Sequence, residues 1–146
     1  MNDDNIPALL RECNKQIRNA AVESLAAAGL EELRPQDGQI LWFLFEHPNA
    51  SSADIQMVRR CAKSSVSESL SLLQDRGFID YVVNDENRRE KKIFLTEKGI
   101  KHQKAVNSVL SKLSSNLLDG ISGKEREQFL ETLLRITANA ERRKHG

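Results

Sequence analysis

The chain has 146 residues, the length of one ordinary domain, and 39% of them are hydrophobic while only 5% are aromatic. The core must therefore be built from aliphatic side chains, and the low counts of Gly (7) and Pro (3) indicate long helices with few turns. The net charge of +1 excludes a histone-like basic chain.

The charge is unevenly distributed along the chain. Residues 1–50 carry four basic and eight acidic residues, residues 51–104 carry eleven and eight, and residues 105–146 carry seven and five. The middle and the end of the chain are therefore positive. A polyanion, if one binds, is expected to bind there.

Metal, membrane and secretion signals are weak. Cys13 and Cys61 form no CxxC pair and have no His at ligand spacing, so no zinc site is predicted. The acidic start MNDDNIPALL does not resemble a signal peptide, and the longest apolar run, ILWFLF at 40–45, is too short to span a bilayer. These features predict a cytoplasmic protein without a cofactor and without a membrane partner.

The first two helices are predicted from the spacing of apolar residues and from Gly and Pro residues at their ends. Residues 6–28 carry apolar residues at helical spacing, and Gly29 supplies a stop. The apolar stripe is narrow, which is typical of a helix that packs on a partner. Pro35 suits the first turn of a second helix, whose ILWFLF segment is apolar nearly all round and predicts a buried helix that ends before Pro48.

A short third helix is predicted after Ser51. Ser51 can cap it, Asp54 can complete a capping-box arrangement, and the helix is expected to turn Ile55 and Val58 inward and to end near Arg60.

A fourth helix is predicted over residues 63–77, which end in Gly77. Val66, Leu70 and Leu73 form its inward stripe, with Leu72 beside them. The start of this helix is rich in serine, and at least one of these serines is expected to cap it.

A β-hairpin and two further helices complete the chain. FIDYVV at 78–83 and KKIFLT at 91–96 are β-like, and the polar segment 84–89 makes a loop longer than a two-residue turn. Thr96 is expected to cap a helix over about 97–116, and LDGISGKE separates it from a last helix over about 122–141.

This order of elements defines a winged helix-turn-helix, so the predicted fold is mainly α with a small β-hairpin wing. A helix that enters the major groove needs small, hydrogen-bonding side chains on its outer face, and a wing can place basic side chains against phosphates. The outer face of 63–77 and the wing tip, where Lys92 also lies, meet these demands. The predicted DNA-binding residues are Ser51, Lys63, Ser64, Ser65, Ser67, Glu68, Ser71, Arg88, Arg89 and Lys91.

Several motifs between Pro35 and Gly99 resemble the DNA-binding core of the MarR family of bacterial regulators. They are LRPQ before the second helix, DIQMVRRCAKSSVSESLSLLQDRGFI in the helix-turn-helix, NRR in the wing, and LTEKG after it. The resemblance implies a single domain over 1–146, with a DNA-binding lobe at 31–99 and a helical dimerisation region at 1–30 and 100–146. It also implies a homodimer with intertwined terminal helices, palindromic operators, repression, and release by a small ligand or an oxidant.

Three positions depart from the family pattern. Asn87 stands where the family has an Asp that orients the wing arginine, so Arg89 is expected to be held in another way, with Asp85 as a candidate. Glu68 stands where a basic residue is common, and its carboxylate repels phosphate although it can accept from cytosine N4. Arg59 replaces a usual Leu and could reach the DNA backbone.

Two alternatives to the regulator hypothesis remain open at this point. Glu68, Asn87 and the mild net charge are compatible with a winged-helix protein-interaction module that has lost specific DNA binding. Cys13 could be a redox-sensing thiol, as in one branch of the family, although a cysteine on an apolar stripe is usually inert. No motif of a catalytic site is present, so an enzyme is not predicted.

Small-ligand sites of two kinds have candidate residues in the sequence. The resemblance implies an effector pocket, for which Ile17, Trp42 and Phe45 are candidates, although all three have core packing as the favoured explanation. His47, His102 and His145 form no local cluster with Cys13, so no metal site is predicted.

Overall fold

A computed structural model describes residues 5–59, 62–83, 86, 87 and 89–143 of the chain. It contains six helices and one antiparallel pair of strands within these residues, which confirms the predicted fold class. The elements are α1 (Ile6–Ala27), α2 (Pro35–Glu46), α3 (Ser52–Arg59), α4 (Lys63–Asp75), β1 (Ile79–Val83), β2 (Lys91–Leu95), α5 (Glu97–Leu117) and α6 (Gly123–Arg142).

The core lies between α2, α3, α4 and the hairpin. Its members are the apolar residues Ile40, Leu41, Phe43, Leu44, Ala50, Ile55, Val66, Leu70, Leu73, Phe78, Ile79 and Ile93. The inward stripe predicted for α4 is therefore confirmed. Two apolar residues predicted to help the core do not, because Val58 is 57% exposed and Leu72 is 38% exposed. Val58 lies three residues after Ile55, but α3 ends one residue later and only its Ile55 side is covered.

The hairpin is attached to the helices through its second strand. β1 pairs with β2 in the register Ile79↔Leu95, Tyr81↔Ile93 and Val83↔Lys91. On its other side, the Ile93 N–H donates to the Ala50 carbonyl at 2.9 Å, and Ser51 forms an isolated bridge with Lys92. The segment just before α3 is therefore hydrogen-bonded to β2, and the wing base is fixed to the helix-turn-helix.

The predicted helix caps are partly confirmed. The Ser51 N–H donates to Asp54 Oδ2 at 2.8 Å and the Asp54 N–H donates to Ser51 Oγ at 3.2 Å, which closes the arrangement predicted for α3. A second capping box joins Ser122 and Glu125 at the start of α6. The prediction of a serine cap for α4 is wrong, because Ala62 is its N-cap and no side chain caps it.

Gly99 allows α5 to begin directly against the base of the hairpin. The Thr96 hydroxyl accepts from the Gly99 N–H at 3.1 Å, as predicted for a cap, and donates to the Gly77 carbonyl. The Thr96 N–H donates to the Phe78 carbonyl at 3.0 Å. A Cβ atom at Gly99 would lie 2.1 Å from that carbonyl oxygen, so no larger residue fits without movement of the backbone.

The terminal helices present apolar side chains to solvent within the single chain. α1 and α6 contain no buried residue. The exposed apolar residues of α1 include Ile6, Leu9, Ile17 and Val22, and those of α6 include Phe129, Leu130 and Leu134. Residue contacts divide the chain into two units, 1–113 and 114–146, while the lobe boundaries at 31 and 99 stay a prediction. No helix within the described residues is long and apolar enough to cross a membrane.

We expect Gly99→Ala to lower the free energy of unfolding, because the added methyl group meets the Phe78 carbonyl, a backbone atom that cannot rotate away. Overpacking of this kind costs about 1–3 kcal/mol. Gly38→Ala is the matched control, since its helical site in α2 has no atom within 4 Å of the new Cβ. The control is expected to be neutral or to stabilise by about 0.5–1 kcal/mol. Equal urea midpoints for the two variants would contradict this account.

Candidate DNA-binding surface

The outer face of α4 is polar and accessible. Four of its predicted DNA-binding side chains are exposed, namely Ser64, Ser67, Glu68 and Ser71, and Lys63 at the first turn is exposed as well. Ser65 is half-buried against α2. The prediction that the Ser51 side chain binds DNA must be corrected, because Ser51 is buried and its hydroxyl caps α3.

A polar network that sequence reasoning missed holds α4 against the start of α2. We name it the Arg34 network, and its members are Arg34, Gln36, Asp37, Ser65, Glu68 and Ser69. The Arg34 guanidinium binds Asp37 through two bonds, Nε to Oδ2 at 2.8 Å and Nη2 to Oδ1 at 3.1 Å. Its third nitrogen, Nη1, donates to Glu68 Oε1 at 2.8 Å. The side chain that precedes α2 therefore reaches the exposed face of α4.

Gln36 makes the second half of the Arg34 network. Its Nε2 donates to the Ser65 carbonyl at 3.1 Å and to Ser69 Oγ at 3.0 Å. Ser69 is 0% exposed, although it lies among the apolar residues of the inward stripe. A serine among the core positions of α4 could have indicated a buried hydrogen bond, although not the residue that makes it.

The charges of the Arg34 network stabilise one another. Burial raises the pKa of Asp37, but the hydrogen bonds with Arg34 and Ser69 outweigh burial and hold that pKa below its ordinary value. The hydrogen bonds with Asp37 and then Glu68 raise the pKa of Arg34. Asp37 is only 3% exposed, and its carboxylate forms a salt bridge with this guanidinium.

The wing carries exposed basic side chains next to a defined turn. Arg89, Lys91 and Lys92 are exposed, and the Lys91 ammonium lies 5.7 Å from the centroid of the Tyr81 ring. Asn87 Oδ1 accepts from the Arg89 N–H at 3.2 Å, and its carbonyl accepts from the Glu90 N–H at 2.9 Å. Asn87 thus orients the backbone at Arg89.

Several predicted positions lie outside the described residues. These are Arg88, which was predicted to bind DNA, Asp85, which was a candidate partner of Arg89, and Cys61. The side chain of Arg59 is also outside them, so its proposed reach to the DNA backbone stays a prediction.

A second cluster of charges lies at the C-terminal end of α4. Arg76 donates to Glu31 Oε2 at 2.9 Å and to the Glu32 carbonyl at 3.0 Å, while Lys98 of α5 binds Glu31 Oε1 at 3.0 Å and the Arg76 carbonyl at 2.7 Å. The hydrogen bonds with Lys98 and Arg76 lower the pKa of Glu31. This cluster joins the segment between α1 and α2 to α4 and α5.

This cluster of charges packs against the ring pair of Phe78 and His102. The Lys98 ammonium lies 4.5 Å from the centroid of the buried Phe78 ring, and His102 meets the same ring edge-on at 4.9 Å between centroids. Burial lowers the pKa of His102, so the neutral imidazole is favoured beside Phe78.

The candidate ligand residues differ in exposure, and their role as effector contacts stays a prediction. Ile17 is exposed, Trp42 is 50% exposed and Phe45 is half-buried, so core packing does not account for Ile17 or Trp42. A groove of about 440 Å³ between α4 and the start of α2 is lined by other residues, including Leu33, Leu72 and Arg76. Cys13 is exposed on α1 and not covered by an apolar surface of its own chain. Within the described residues, no group of His, Cys, Asp and Glu could hold a metal ion.

Comparisons with known proteins agree with this geometry. Residues 33–99 match the family described as a winged helix DNA-binding domain. YybA, an uncharacterised HTH-type transcriptional regulator of Bacillus subtilis (strain 168), is 26% identical over 136 residues, which cover 92% of this chain and 89% of YybA.

Two solved structures share the fold. The crystal structure of the S. aureus MepR–DNA complex has a TM-score of 0.77 at 24% identity, over 92% of this chain and 97% of MepR. The heme sensor protein PefR from Streptococcus agalactiae, in complex with heme, has a TM-score of 0.70 at 23% identity, over 92% of this chain and 93% of PefR.

The α4 face, the wing and the family match show that residues 33–99 form a winged helix DNA-binding domain, and the chain is similar to an HTH-type transcriptional regulator along most of its length. The fold shared with MepR supports the resemblance to the MarR family drawn from LRPQ, NRR and LTEKG, and the chain is similar to regulators of that kind.

The pairing of Asp37 predicts acid sensitivity. Because the pKa of Asp37 is lower in the folded chain, its contribution to stability is present above its unfolded pKa of about 3.9 and is lost as the pH falls through the folded value. Asp37→Asn is therefore expected to be less stable than the parent at pH 7, and the difference should shrink below about pH 4. Urea unfolding at fixed protein concentration measures it. A difference that stays constant across this acid range would refute the assignment.

Proposed function

We propose that the chain is a homodimeric repressor that binds palindromic DNA operators through α4 and the wing. The observation that carries the proposal is the outer face of α4, where Ser64, Ser67 and Ser71 are exposed while the Arg34 network fixes the flank of the same helix. Small hydroxyl side chains allow a helix to approach base edges and to hydrogen-bond with them.

The wing supplies the electrostatic part of the proposal. Arg89 and Lys91 are exposed, and β2 is hydrogen-bonded to Ala50 in the segment just before α3, so the wing base is attached to the helix-turn-helix. Basic side chains at such a site would neutralise phosphates and release counterions. MepR, which has the same fold, is known in complex with DNA, and this supports the proposal that the chain binds DNA.

The exposed apolar faces of α1 and α6 support a homodimer. Exposed side chains such as Leu9 and Ile17 on α1 and Phe129 and Leu130 on α6 are costly in water, and a second copy would cover them. Two-fold symmetry of the protein then calls for two related half-sites, which is the reason for proposing palindromic operators.

Control by an effector and a cytoplasmic location complete the proposal, which assigns no enzymatic activity. The heme complex of PefR supports the idea that a protein of this fold can carry a small-molecule sensor. Ile17, Trp42 and Phe45 remain the proposed effector contacts. A thiol sensor at Cys13 is a second candidate, and it requires that the sulfur, which is exposed in the single chain, stays accessible to an oxidant when a second copy covers α1.

Salt dependence of DNA binding tests the proposed role of the wing. Duplexes are first selected from genomic DNA with the purified protein. Arg89→Ala is then expected to weaken binding and to reduce the slope of log K against log salt by about 0.9 for each phosphate that the arginine neutralises in the parent. Lys112→Ala, an equal charge change at an exposed site on α5, is the control and should leave the slope unchanged.

Two outcomes would count against this function. An unchanged slope for Arg89→Ala would show that the wing does not bind a phosphate there. Failure of the parent protein to select any fragment would favour the alternative of an interaction module that has lost specific DNA binding.

A further inference from the structure

Glu68 occupies the centre of the exposed face of α4. The buried residues Val66, Ser69, Leu70 and Leu73 define the inner side of the helix, and Glu68 and Ser64 project from the opposite side. A carboxylate at this place would repel DNA phosphates if it stood alone. Whether Glu68 weakens DNA binding or contributes to it therefore depends on the residues that contact its carboxylate.

Arg34 reduces the repulsion between Glu68 and DNA phosphates. Its Nη1 lies 2.8 Å from Glu68 Oε1, so the negative charge of Glu68 is paired before DNA arrives. The same guanidinium is held at its other edge by the two bonds to the buried Asp37, and a bidentate pair fixes the plane of a guanidinium. Arg34 therefore has a defined direction towards Glu68.

The turn of α4 that carries Glu68 is held as well. Gln36 donates to the Ser65 carbonyl and to the buried Ser69 hydroxyl, one turn before and one residue after Glu68. With the backbone and Oε1 both positioned, the second oxygen, Oε2, has no hydrogen-bond partner among the described residues. It is an oriented acceptor on the outer face of the helix.

We propose that Arg34 is a positioning residue for sequence reading, and that it holds Glu68 so that the free carboxylate oxygen accepts from the N4 amine of cytosine in the major groove. This inference rests on the proposed function, because it requires α4 to enter the groove. A carboxylate only accepts hydrogen bonds, so it is repelled by guanine O6 and N7 and by thymine O4. Adenine offers N6 but places the acceptor N7 beside it, which leaves cytosine as the favoured base.

Selection from a random duplex pool tests the inference. The parent protein is expected to prefer cytosine at one position of each half-site by about tenfold. Glu68→Gln should move that preference to adenine, because an amide can donate to N7 and accept from N6. Preferences at all other positions should stay as in the parent. Glu23→Gln on α1 is the matched control and should select the parent sequence.

Variants of Arg34 separate positioning from folding. Arg34→Lys keeps the charge but removes the planar fork, so the cytosine preference should fall towards the level of the other bases while the preferences elsewhere persist. A purely structural role would weaken binding to all sequences equally. That uniform loss would overturn the role of Arg34, and an unchanged preference in Glu68→Gln would overturn the role of Glu68.

The two proposals fail in different ways. If the parent protein enriches no sequence at all, both the proposed function and this inference are overturned. If the parent enriches a palindrome while Glu68→Gln enriches the same palindrome with the same bases, DNA recognition stands and only this inference is overturned.

Discussion

The guanidinium of Arg34 binds a carboxylate on each of two helices, and the orientation of α4 depends on it. Apolar contacts through Val66, Leu70 and Leu73 hold α4 to the core, but such contacts are non-directional and tolerate small rotations of a helix. Hydrogen bonds from Arg34 to Asp37 and Glu68 have defined lengths and directions. A helix that reads DNA must present its side chains within the tolerance of a hydrogen bond, so in the proposed complex these polar contacts would determine which residues reach base edges.

Charged contacts hold both ends of α4. Towards the start of the helix, the Arg34 network connects it to α2. Just beyond its end, Arg76 binds Glu31 and the Glu32 carbonyl, and Glu31 also binds Lys98 at the start of α5. A shift of the segment between α1 and α2, or of the first turn of α5, therefore reaches α4 through short, direct contacts. Because the side chains of the Arg76 cluster are partly exposed, its pairs weaken with salt more than the buried side of the Arg34 network does.

The helices and strands could be predicted from the sequence because their signals are local. Pro35, Gly29, Ser51 with Asp54, and Thr96 mark boundaries that the structure has within a residue or two. The Arg34 network could not be predicted, since Arg34 and Glu68 are 34 positions apart and their contact depends on how two helices pack. Val58 and Leu72 were wrongly predicted to be buried. Helical spacing identifies the apolar face of a helix, but it does not show how much of that face the neighbouring elements cover. The exposure of Trp42 could not be predicted for a similar reason. In a helix that is apolar all round, the sequence does not show which side chains face the core.

A crystal structure of the protein on a duplex selected from genomic DNA would test the central claim most directly. We expect α4 to lie in the major groove with Ser64, Glu68 and Ser71 towards base edges, and the wing to lie against the flanking phosphates. We also expect the Arg34–Asp37 and Arg34–Glu68 contacts to persist in the complex. A complex in which α4 faces away from the DNA, or in which Glu68 has left Arg34 and points to solvent, would contradict this claim.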